Sequence, residues 1–461
     1  MQAVKRKSVI TWGVIVLLPL IILLLPTGGD FTFQIKLFFA ITVMGIAMFC
    51  TNEMDNAIAA LLMMTLYIVT GLADMPTVFS AWTNAIPWYI LSTLLLVAIL
   101  DDTTILRRMA YHCLVLTGRS YTGIIFGVTI TGMLSIIIIP GTWTSLAVAA
   151  IVVSIIKSME LPVGKVSGGI ILAACFGFHI ASAFIYSPSG IQMFLDMSAN
   201  VEGVGNMRTN FVDYFLQMLP MLVVPFIMAF IISKFMKPEV PVKDQEFFRQ
   251  KLQDLGPMTR DDKKVLVILL VLLVYLFTNR WTGFNMLYGF MLAPIACYLP
   301  GIRVGKPEHF AKLNFGILFF IVGCLAIGSV AAVCGAGAYL TNMILPLLSN
   351  TSSYGFLAIV FVFGILVNFL LTPMAAMSAV APILSGIAVG LGIPALTTTY
   401  AFYLGLDQLI LPYEIGTYLI FFAFGYVSLK DFAKLSGIKM LVTTIWTFAI
   451  MIPWWMMMGL V

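Results

Sequence analysis

Long apolar runs separated by short polar segments make up almost the whole chain. A membrane-spanning helix needs about 20 mostly apolar residues, because the hydrocarbon core of a bilayer is about 30 Å thick. Eleven runs meet this requirement, and each predicts one transmembrane helix. They lie near residues 9–26, 34–51, 56–73, 86–102, 166–190, 214–235, 264–279, 285–300, 313–345, 397–427 and 438–458.

Two further apolar stretches, 121–157 and 353–392, do not fit single crossings. Basic residues flank the first stretch at both ends, and loops rich in Lys and Arg stay on the cytoplasmic side. The first stretch therefore predicts a re-entrant hairpin with its tip near residues 139–145. The second stretch has no basic flank, which predicts the opposite hairpin, entering from outside with its tip near residues 371–378. The basic flanks of the first are Arg107, Arg108, Arg119, Lys157 and Lys165.

The overall composition excludes a water-soluble protein. The chain of 461 residues is 61% hydrophobic and 10% charged, whereas soluble domains contain about 25% charged residues. With the N-terminus cytoplasmic and the C-terminus outside, all but three of the 25 basic residues fall on the cytoplasmic side, as the positive-inside rule requires. The three exceptions are Lys36, Arg208 and Arg280. We therefore expect a multi-pass protein of the cell inner (cytoplasmic) membrane, surrounded by lipid and without a nucleic-acid partner.

The two halves of the chain match each other. Adding 233 to the numbering places Pro140 on Pro373 and Ser145 on Ser378. Each half then contains a span, a hairpin with a proline at its tip and a broken span, and the hairpins enter from opposite faces. Inverted repeats with interrupted helices are typical of secondary transporters, which hold substrate and ion near the bilayer midplane. The simpler alternative is that the two prolines only kink ordinary helices, which membrane helices tolerate.

Only two acidic side chains, Asp407 and Glu414, fall near the midplane in this topology, and no Lys or Arg does. A charge at a helix centre costs about 2.5–3.5 kcal/mol on insertion scales, so such residues usually have a function. With Gln408 beside them, the two acids could hold a coupling cation, bind and release a proton, or contact a cationic group of the substrate. Burial disfavours the ionised carboxylate, which favours the proton role. A structural role at a helix interface is the alternative.

Hydroxyl groups at the hairpin tips and helix breaks are the candidate substrate ligands. Half-helix N-termini at these places carry positive partial charge and free N–H groups, which suit an anion. Ser and Thr also bond back to their own helix, which is the structural alternative. His179 could relay protons, because histidine titrates near physiological pH, or it could be structural. The predicted substrate-binding residues are Thr142, Thr144, Ser145, Ser187, Thr372, Ser378 and Pro412.

Two polar segments resemble a known family. Residues 251–264 (KLQDLGPMTRDDKK) resemble the cytoplasmic-loop signature of the divalent anion/sodium symporter family, and 424–437 (FGYVSLKDFAKLSG) resemble the segment after its broken last-but-one helix. The order of spans and hairpins is also similar, so the resemblance covers most of the chain. It implies a homodimeric, elevator-type carrier of di- or tricarboxylates or sulfate, usually driven by sodium, with a scaffold domain and a moving transport domain.

This resemblance divides the expected fold, an all-α polytopic membrane protein with about 11 transmembrane helices and two opposed re-entrant hairpins. Residues 1–120 are first-half scaffold helices, and 121–235 are the first-half transport region with its hairpin and broken helix. Residues 236–264 form a cytoplasmic loop. Residues 265–352 are second-half scaffold helices, and 353–461 are the second-half transport region with its hairpin, broken helix and last helix.

The chain departs from this family at both of its Ser-Asn-Thr tips. Residues 140–144 (PGTWT) and 372–376 (TPMAA) occupy the two tips, and 187–190 (SPSG) and 411–414 (LPYE) occupy the two breaks. This pattern predicts that the chain keeps the architecture of the family but binds a different ligand. Sodium coupling and the preference for dicarboxylates therefore both stay open. Na⁺ is the only bound ion expected, and no other metal or cofactor is. The expected coupling-ion or proton residues are Gly141, Asp407, Gln408 and Glu414.

These features predict a secondary active transporter that moves a small organic anion by alternating access, coupled to Na⁺ or H⁺ or working by exchange. The alternative within the same fold is a carrier of a zwitterionic, amine-bearing or neutral solute, with proton coupling through Asp407 and Glu414. A polytopic membrane enzyme is a remote alternative. We expect no enzyme, because the chain has no HExxH, GxSxG or P-loop motif.

Overall fold

The computed structural model describes residues 2–461 except 52, 84, 140–143, 199, 200, 202, 205, 206, 208, 239, 349 and 370–372. Within the described residues the secondary structure is helical, apart from one isolated antiparallel bridge between Gly28 and Phe31. The all-α fold predicted from the apolar runs is therefore confirmed. Such runs form helices because a bilayer offers no partner for unpaired backbone groups.

The described α-helices are α1 (Gln2–Leu24), α2 (Phe33–Thr51), α3 (Asn56–Val69), α4 (Met75–Val78), α5 (Ala85–Asp101), α6 (Ile105–Thr117), α7 (Tyr121–Ile138), α8 (Ser145–Ser158), α9 (Lys165–Phe184), α10 (Met193–Ser198), α11 (Phe211–Gln217), α12 (Val224–Phe235), α13 (Gln245–Asp254), α14 (Arg260–Thr282), α15 (Met286–Ala296), α16 (Pro307–Ala311), α17 (Gly316–Cys334), α18 (Ala336–Leu348), α19 (Ser353–Asn368), α20 (Pro373–Gly390), α21 (Ala395–Leu406), α22 (Gly416–Ala423), α23 (Leu429–Trp446) and α24 (Ile452–Met457). Shorter 3₁₀ and π turns connect several of them.

Helix length alone supports fewer crossings than the eleven predicted. Six described helical segments are long and apolar enough to span a membrane, and two bent pairs raise the number to eight. Seven shorter apolar helices of 10–17 residues accompany them. Two of the six long segments, α7 and α20, lie in the predicted hairpins. Helix length therefore does not distinguish a hairpin from a crossing here, and the relative directions of neighbouring helices have to be compared instead. The predicted span 313–345 is wrong as a single helix, because Gly335 (φ +75°) separates α17 from α18.

The first hairpin returns to the side from which it enters. At the start of α7, the Tyr121 hydroxyl donates to the Val166 carbonyl, 3.4 Å away. Farther along α7, the Thr129 hydroxyl donates to the Ala173 carbonyl at 3.3 Å. Residue numbers therefore increase together, so α7 and α9 run in the same direction. Since α8 connects two parallel helices, it must run back along them, as the re-entrant prediction requires.

The second half repeats the helix crossing of the first with the same pattern of glycines. A Cβ atom added to Gly132 would lie 2.6 Å from the Ala174 carbonyl, and one added to Gly177 would overlap the carbonyl of Thr129. In α19 and α21, a Cβ on Gly364 would lie 2.9 Å from the Phe402 carbonyl, and one on Gly405 would overlap that of Phe361. Glycine lets two backbones approach this closely. The crossing positions are Gly132, Gly177, Gly364 and Gly405.

The ends of the two broken helices, α9 and α21, contact each other. His179 of α9 contacts Asp407 at the end of α21, and the Tyr403 hydroxyl donates to the Ser182 carbonyl. Over this one turn, residue numbers rise along α9 as they fall along α21, as the predicted inverted repeat requires.

Polar contacts fasten the predicted cytoplasmic loop and the start of the second half to the end of α5. Asp262 accepts hydrogen bonds at 2.9 Å from both the backbone N–H and the hydroxyl of Thr104. Asp102 accepts from the Lys306 ammonium at 2.9 Å and lies 3.0 Å from Nε2 of the buried His309. The Asp102 carboxylate raises the pKa of Lys306, because it stabilises the charged ammonium.

Candidate functional site

Both broken helices end a few residues before a proline. The helix α9 ends at Phe184, and residues Pro188–Gln192 form a π turn before α10. The helix α21 ends at Leu406, a 3₁₀ turn spans Pro412–Glu414, and α22 begins at Gly416. Each proline is the first residue of the turn that follows the break, a position at which its missing N–H donor is tolerated.

Three charged or titratable side chains meet where these helices cross. Asp407 Oδ1 lies 2.8 Å from His179 Nε2, and Asp407 Oδ2 lies 2.9 Å from Lys439 Nζ. The Lys439 ammonium also donates to the backbone carbonyl of Asp407, at the end of α21. The exposed fractions of the side chains are 3% for His179, 8% for Asp407 and 1% for Lys439. We call these three residues the charge cluster.

The ion pair between Asp407 and Lys439 makes the charge cluster electrically neutral. A buried charge is tolerated only when it is paired and hydrogen-bonded, and here each charge is the partner of the other. His179 differs, because neither of its ring nitrogens makes a hydrogen bond of good geometry within the described residues. Its 2.8 Å approach to Asp407 is therefore an electrostatic contact. The imidazole is the least constrained member of the cluster.

Lys439 corrects the expectation that no basic side chain lies near the midplane. The predicted last span began at residue 438, which placed Lys439 at the membrane surface. The helix in fact begins at Leu429, after Ser428, whose hydroxyl accepts from the Asp431 N–H. Lys439 is therefore about 15 Å along α23, at 1.5 Å per residue. The Ser-x-x-Asp capping pattern was the signal that could have revealed this start.

Buried polar atoms without a partner surround the cluster. The Tyr418 ring centroid is 4.5 Å from that of His179, and its hydroxyl has no hydrogen-bond partner within the described residues. The same holds for Gln408 Oε1 and Ser436 Oγ. An unpaired buried polar atom costs about 1–3 kcal/mol. Sites that bear this cost are often functional, because a ligand or a proton completes them.

The other predicted polar residues at the second break have structural contacts. The Glu414 carboxylate accepts from the backbone N–H of Ile410 at 2.8 Å, which closes the non-helical segment. Gln408 donates to the Leu404 carbonyl at 2.7 Å. Pro412 opens the 3₁₀ turn. The structure therefore brings Asp407 into the cluster and uses Glu414 and Pro412 to shape the break.

The hairpin tips are described only in part. Gly141, Thr142 and Thr372 lie outside the described residues. Thr144 and Ser145, which begin α8, are both buried, and the Ser145 hydroxyl has no hydrogen-bond partner in the described structure.

The two remaining predicted ligands, Ser378 and Ser187, are also buried. The Ser378 hydroxyl lies 3.1 Å from the carbonyl of Met374 and 3.1 Å from that of Ala375, within its own helix. For Ser378 this is the structural alternative weighed against ligand binding. Ser187 lies between α9 and the π turn, at the first break.

Asn368 is a candidate that the sequence reasoning missed. It is the last residue of α19, three residues before the start of the predicted second tip at residue 371. The side chain is 5% exposed, and neither amide atom has a hydrogen-bond partner in the described part of the chain. An asparagine within a long apolar run was the available signal, because an amide in a membrane segment normally hydrogen-bonds a neighbouring helix.

Comparisons with known proteins agree with this architecture. Residues 6–461 match the family described as the sodium:sulfate symporter transmembrane region. Dicarboxylate transporter 2 of Spinacia oleracea chloroplasts is 22% identical over 456 residues, which are 94% of this chain and 80% of that protein. The sodium-dependent high-affinity dicarboxylate transporter 3 of Caenorhabditis elegans is 25% identical over 257 residues, covering 51% of this chain and 45% of that protein.

Two solved structures share the fold. MtrF of Neisseria gonorrhoeae, described as one of a class of antimetabolite efflux pumps, has a TM-score of 0.55 and 14% identity over 93% of this chain and 95% of its own. The YdaH transporter of Alcanivorax borkumensis has a TM-score of 0.58 and 11% identity over 93% and 99%. The resemblance noted in the polar segments is thus confirmed: the chain belongs to the sodium:sulfate symporter family, as a polytopic, all-α membrane transporter.

Proposed function

We propose that this protein is a secondary active transporter that moves a small organic anion across the cytoplasmic membrane by alternating access. The observation that carries the proposal is the antiparallel meeting of two broken helices at the buried charge cluster. Non-helical backbone is tolerated at membrane depth only where protein buries it or where it lines a polar cavity. Transporters built from inverted repeats bind their substrate at such a meeting point.

Charge favours an anion over an amine-bearing substrate. The amine-bearing alternative needs a free carboxylate, but Asp407 already pairs with Lys439. Helix starts near the tips and at the second break carry positive partial charge, which favours negative groups. These starts are Ser145 of α8, Pro373 of α20 and Gly416 of α22. Di- or tricarboxylates and sulfate are the substrates we propose, in keeping with the dicarboxylate transporters among the relatives.

The coupling ion is either sodium or a proton, and the two differ in where they would bind. Hard cations take oxygen ligands, and the side-chain oxygens of Ser145 and Asn368, which have no hydrogen-bond partner where the structure describes the chain, are of this kind. A carbonyl of the first tip, at Gly141, is a further proposed ligand. The Asp407 carboxylate is not available to sodium in this arrangement, because the Lys439 ammonium takes the place of a cation beside it.

Movement of the hairpins against the scaffold would provide alternating access. A cavity of about 240 Å³ lies between the corner of α5 and α6 and the side of α8. Residues 1–120, the predicted scaffold, supply Asp101 and Arg107 to its wall, and the predicted transport region supplies Leu146 and Ala150. We propose that this boundary is where the two regions slide, in a homodimer with a cytoplasmic N-terminus and the C-terminus outside.

Transport in liposomes tests the proposal. Purified protein is reconstituted with unlabelled anion inside, and labelled succinate, malate, citrate or sulfate is added outside. We expect counterflow of at least one anion, which needs no ion gradient. In separate experiments, an imposed sodium gradient or an imposed proton gradient should make the net uptake of that anion faster. Empty liposomes give the background. Uptake of a labelled amino acid in place of every anion would contradict the proposed substrate class.

A further inference from the structure

We propose that the cavity between the corner of α5 and α6 and the side of α8 is a cytoplasmic entrance, and that Arg107 is the first contact of the transported anion there. The anion binds the guanidinium of Arg107 before it moves on to the tip of the first hairpin. This inference rests on the proposed function as an anion transporter, and it names the side chain that attracts the anion.

The cavity lies between the predicted cytoplasmic loop and the tip of the first hairpin. One wall is the corner of α5 and α6, which Asp262 at the start of α14 holds through two hydrogen bonds from Thr104. The other wall is α8, beginning at Leu146, one residue after the start of that helix at Ser145. A solute in the cavity is therefore next to the loop on one side and to the predicted tip on the other.

The second half of the chain closes the equivalent gap. The helices α18 and α20 correspond to α6 and α8, because each pair consists of the helix before a predicted hairpin and the second arm of that hairpin. A Cβ atom on Gly386 of α20 would lie 2.8 Å from Thr341 Oγ1 of α18. One on Gly390 would lie 2.8 Å from a methyl carbon of Leu345. A cavity in one half and close packing in the other is the asymmetry expected of a carrier that gives access from one side at a time.

Two neighbouring arginines of α6 have different roles at this corner. Arg108 donates to the backbone carbonyls of Leu255 and Gly256 in the predicted loop, at 3.0 and 2.8 Å. Arg107 is exposed and lies on the wall of the cavity. Its planar guanidinium can donate two parallel hydrogen bonds to a carboxylate or a sulfate. Arg108 therefore holds the loop, and Arg107 is the arginine placed to bind an anion.

The other lining residues strengthen the attraction for an anion. Most of them are apolar, namely Leu100, Leu106, Leu146, Ala147, Ala150 and Ile151. Apolar walls concentrate the field of a charge, and such a cleft raises the local concentration of ions of the opposite sign. Asp101 is the acid among the described lining residues, and electrostatic attraction to Lys312 offsets part of its charge. The charge of Arg107 therefore dominates the cavity.

Thiol labelling of Ala150→Cys measures the charge of the cavity directly. Ala150 is exposed on the α8 wall, and the described cysteines are free and buried, so the unsubstituted protein gives the background. Protein in detergent, at low ionic strength, reacts with an anionic or a cationic methanethiosulfonate reagent, and each rate is divided by that of a free thiol. A unit charge about 10 Å from the thiol, at an effective dielectric constant of about 40–80, changes each rate by roughly two- to fourfold, in opposite directions.

Arg107→Gln should therefore lower the ratio of the anionic to the cationic rate by roughly four- to sixteenfold. The matched control is Lys430→Gln, which removes an equal charge from the exposed start of α23, outside the cavity lining, and should leave the ratio unchanged. An excess of the transported anion should slow both reagents at Ala150→Cys, a result that needs no change at Arg107. An unchanged ratio in Arg107→Gln would overturn the proposal. Labelling by an uncharged, membrane-soluble maleimide alone would also overturn it, because lipid would then occupy the cavity.

Anion uptake into preloaded inside-out vesicles tests the role in transport, with vesicles that lack the protein as background. Arg107→Gln should raise the half-saturation concentration of the anion several-fold and keep most of the maximal rate, and Arg107→Lys, which keeps the charge, should recover most of the loss. A lower maximal rate with an unchanged half-saturation concentration would refute the entrance and leave the proposed function standing. Absence of counterflow of every anion with the unsubstituted protein would instead refute the proposed function, and this inference with it.

Discussion

Replacing Asp407 by Asn tests the ion pair at the centre of the charge cluster. The carboxylate and the Lys439 ammonium lie 2.9 Å apart, with 8% and 1% of their side chains exposed. Asparagine keeps the size and an oxygen acceptor but removes the negative charge, so the ammonium is left buried without its counter-ion. Breaking a buried ion pair by removing one partner costs about 3–5 kcal/mol.

Thermal stability in detergent measures this effect, as the fraction of protein that stays monodisperse after heating. We expect Asp407→Asn to lower the midpoint by roughly 5 °C at pH 7, taking about 1–2 °C per kcal/mol for a chain of this size. The double variant Asp407→Asn with Lys439→Met removes both charges and should recover most of the loss. A midpoint equal to that of the unsubstituted protein, or a double variant that recovers none of the loss, would refute the reasoning.

Three further predictions follow from other contacts. Gly405→Ala should destabilise the protein by about 1–3 kcal/mol, because the added Cβ would overlap a backbone carbonyl of α19. The control Gly437→Ala, whose Cβ would have no atom within 4 Å, should stabilise the protein by about 0.5–1 kcal/mol. Equal melting midpoints of the two variants would contradict the close crossing. Asn368→Leu should weaken anion transport while leaving the free energy of unfolding unchanged or raising it by about 1 kcal/mol, because the amide has no hydrogen-bond partner among the described residues. An unchanged half-saturation concentration would remove Asn368 from the site. Asp102→Asn should lower the melting midpoint, because a neutral amide binds the buried ring of His309 and the Lys306 ammonium more weakly. An unchanged midpoint would show that this contact does not hold the two halves together.

The apolar runs and the prolines determined the architecture without tertiary information. Backbone groups in lipid must be paired within a helix, so an apolar run of sufficient length has one available structure. Pro188 and Pro412 marked both helix breaks, because proline is tolerated at the first position of a turn but not inside a helix. The match between the two halves indicated a repeat, and the glycine crossings of α7 with α9 and of α19 with α21 agree with it. The offset of 233 does not hold throughout, because α8 begins at Ser145 whereas α20 begins at Pro373, five residues before Ser378.

The tertiary structure decided which side chains meet. Asp407 was recognisable as a costly buried acid, but its partner Lys439 is 32 residues away on a helix whose depth depends on packing, and His179 belongs to the other half of the chain. The crossing glycines Gly177 and Gly405 look like any other glycines until two backbones approach them. Sequence periodicity reports which residues avoid water along one helix. It carries no information on the register between helices, because that register depends on how the side chains of neighbouring helices pack together. The register between α21 and α23 is what places the Lys439 ammonium beside the Asp407 carboxylate.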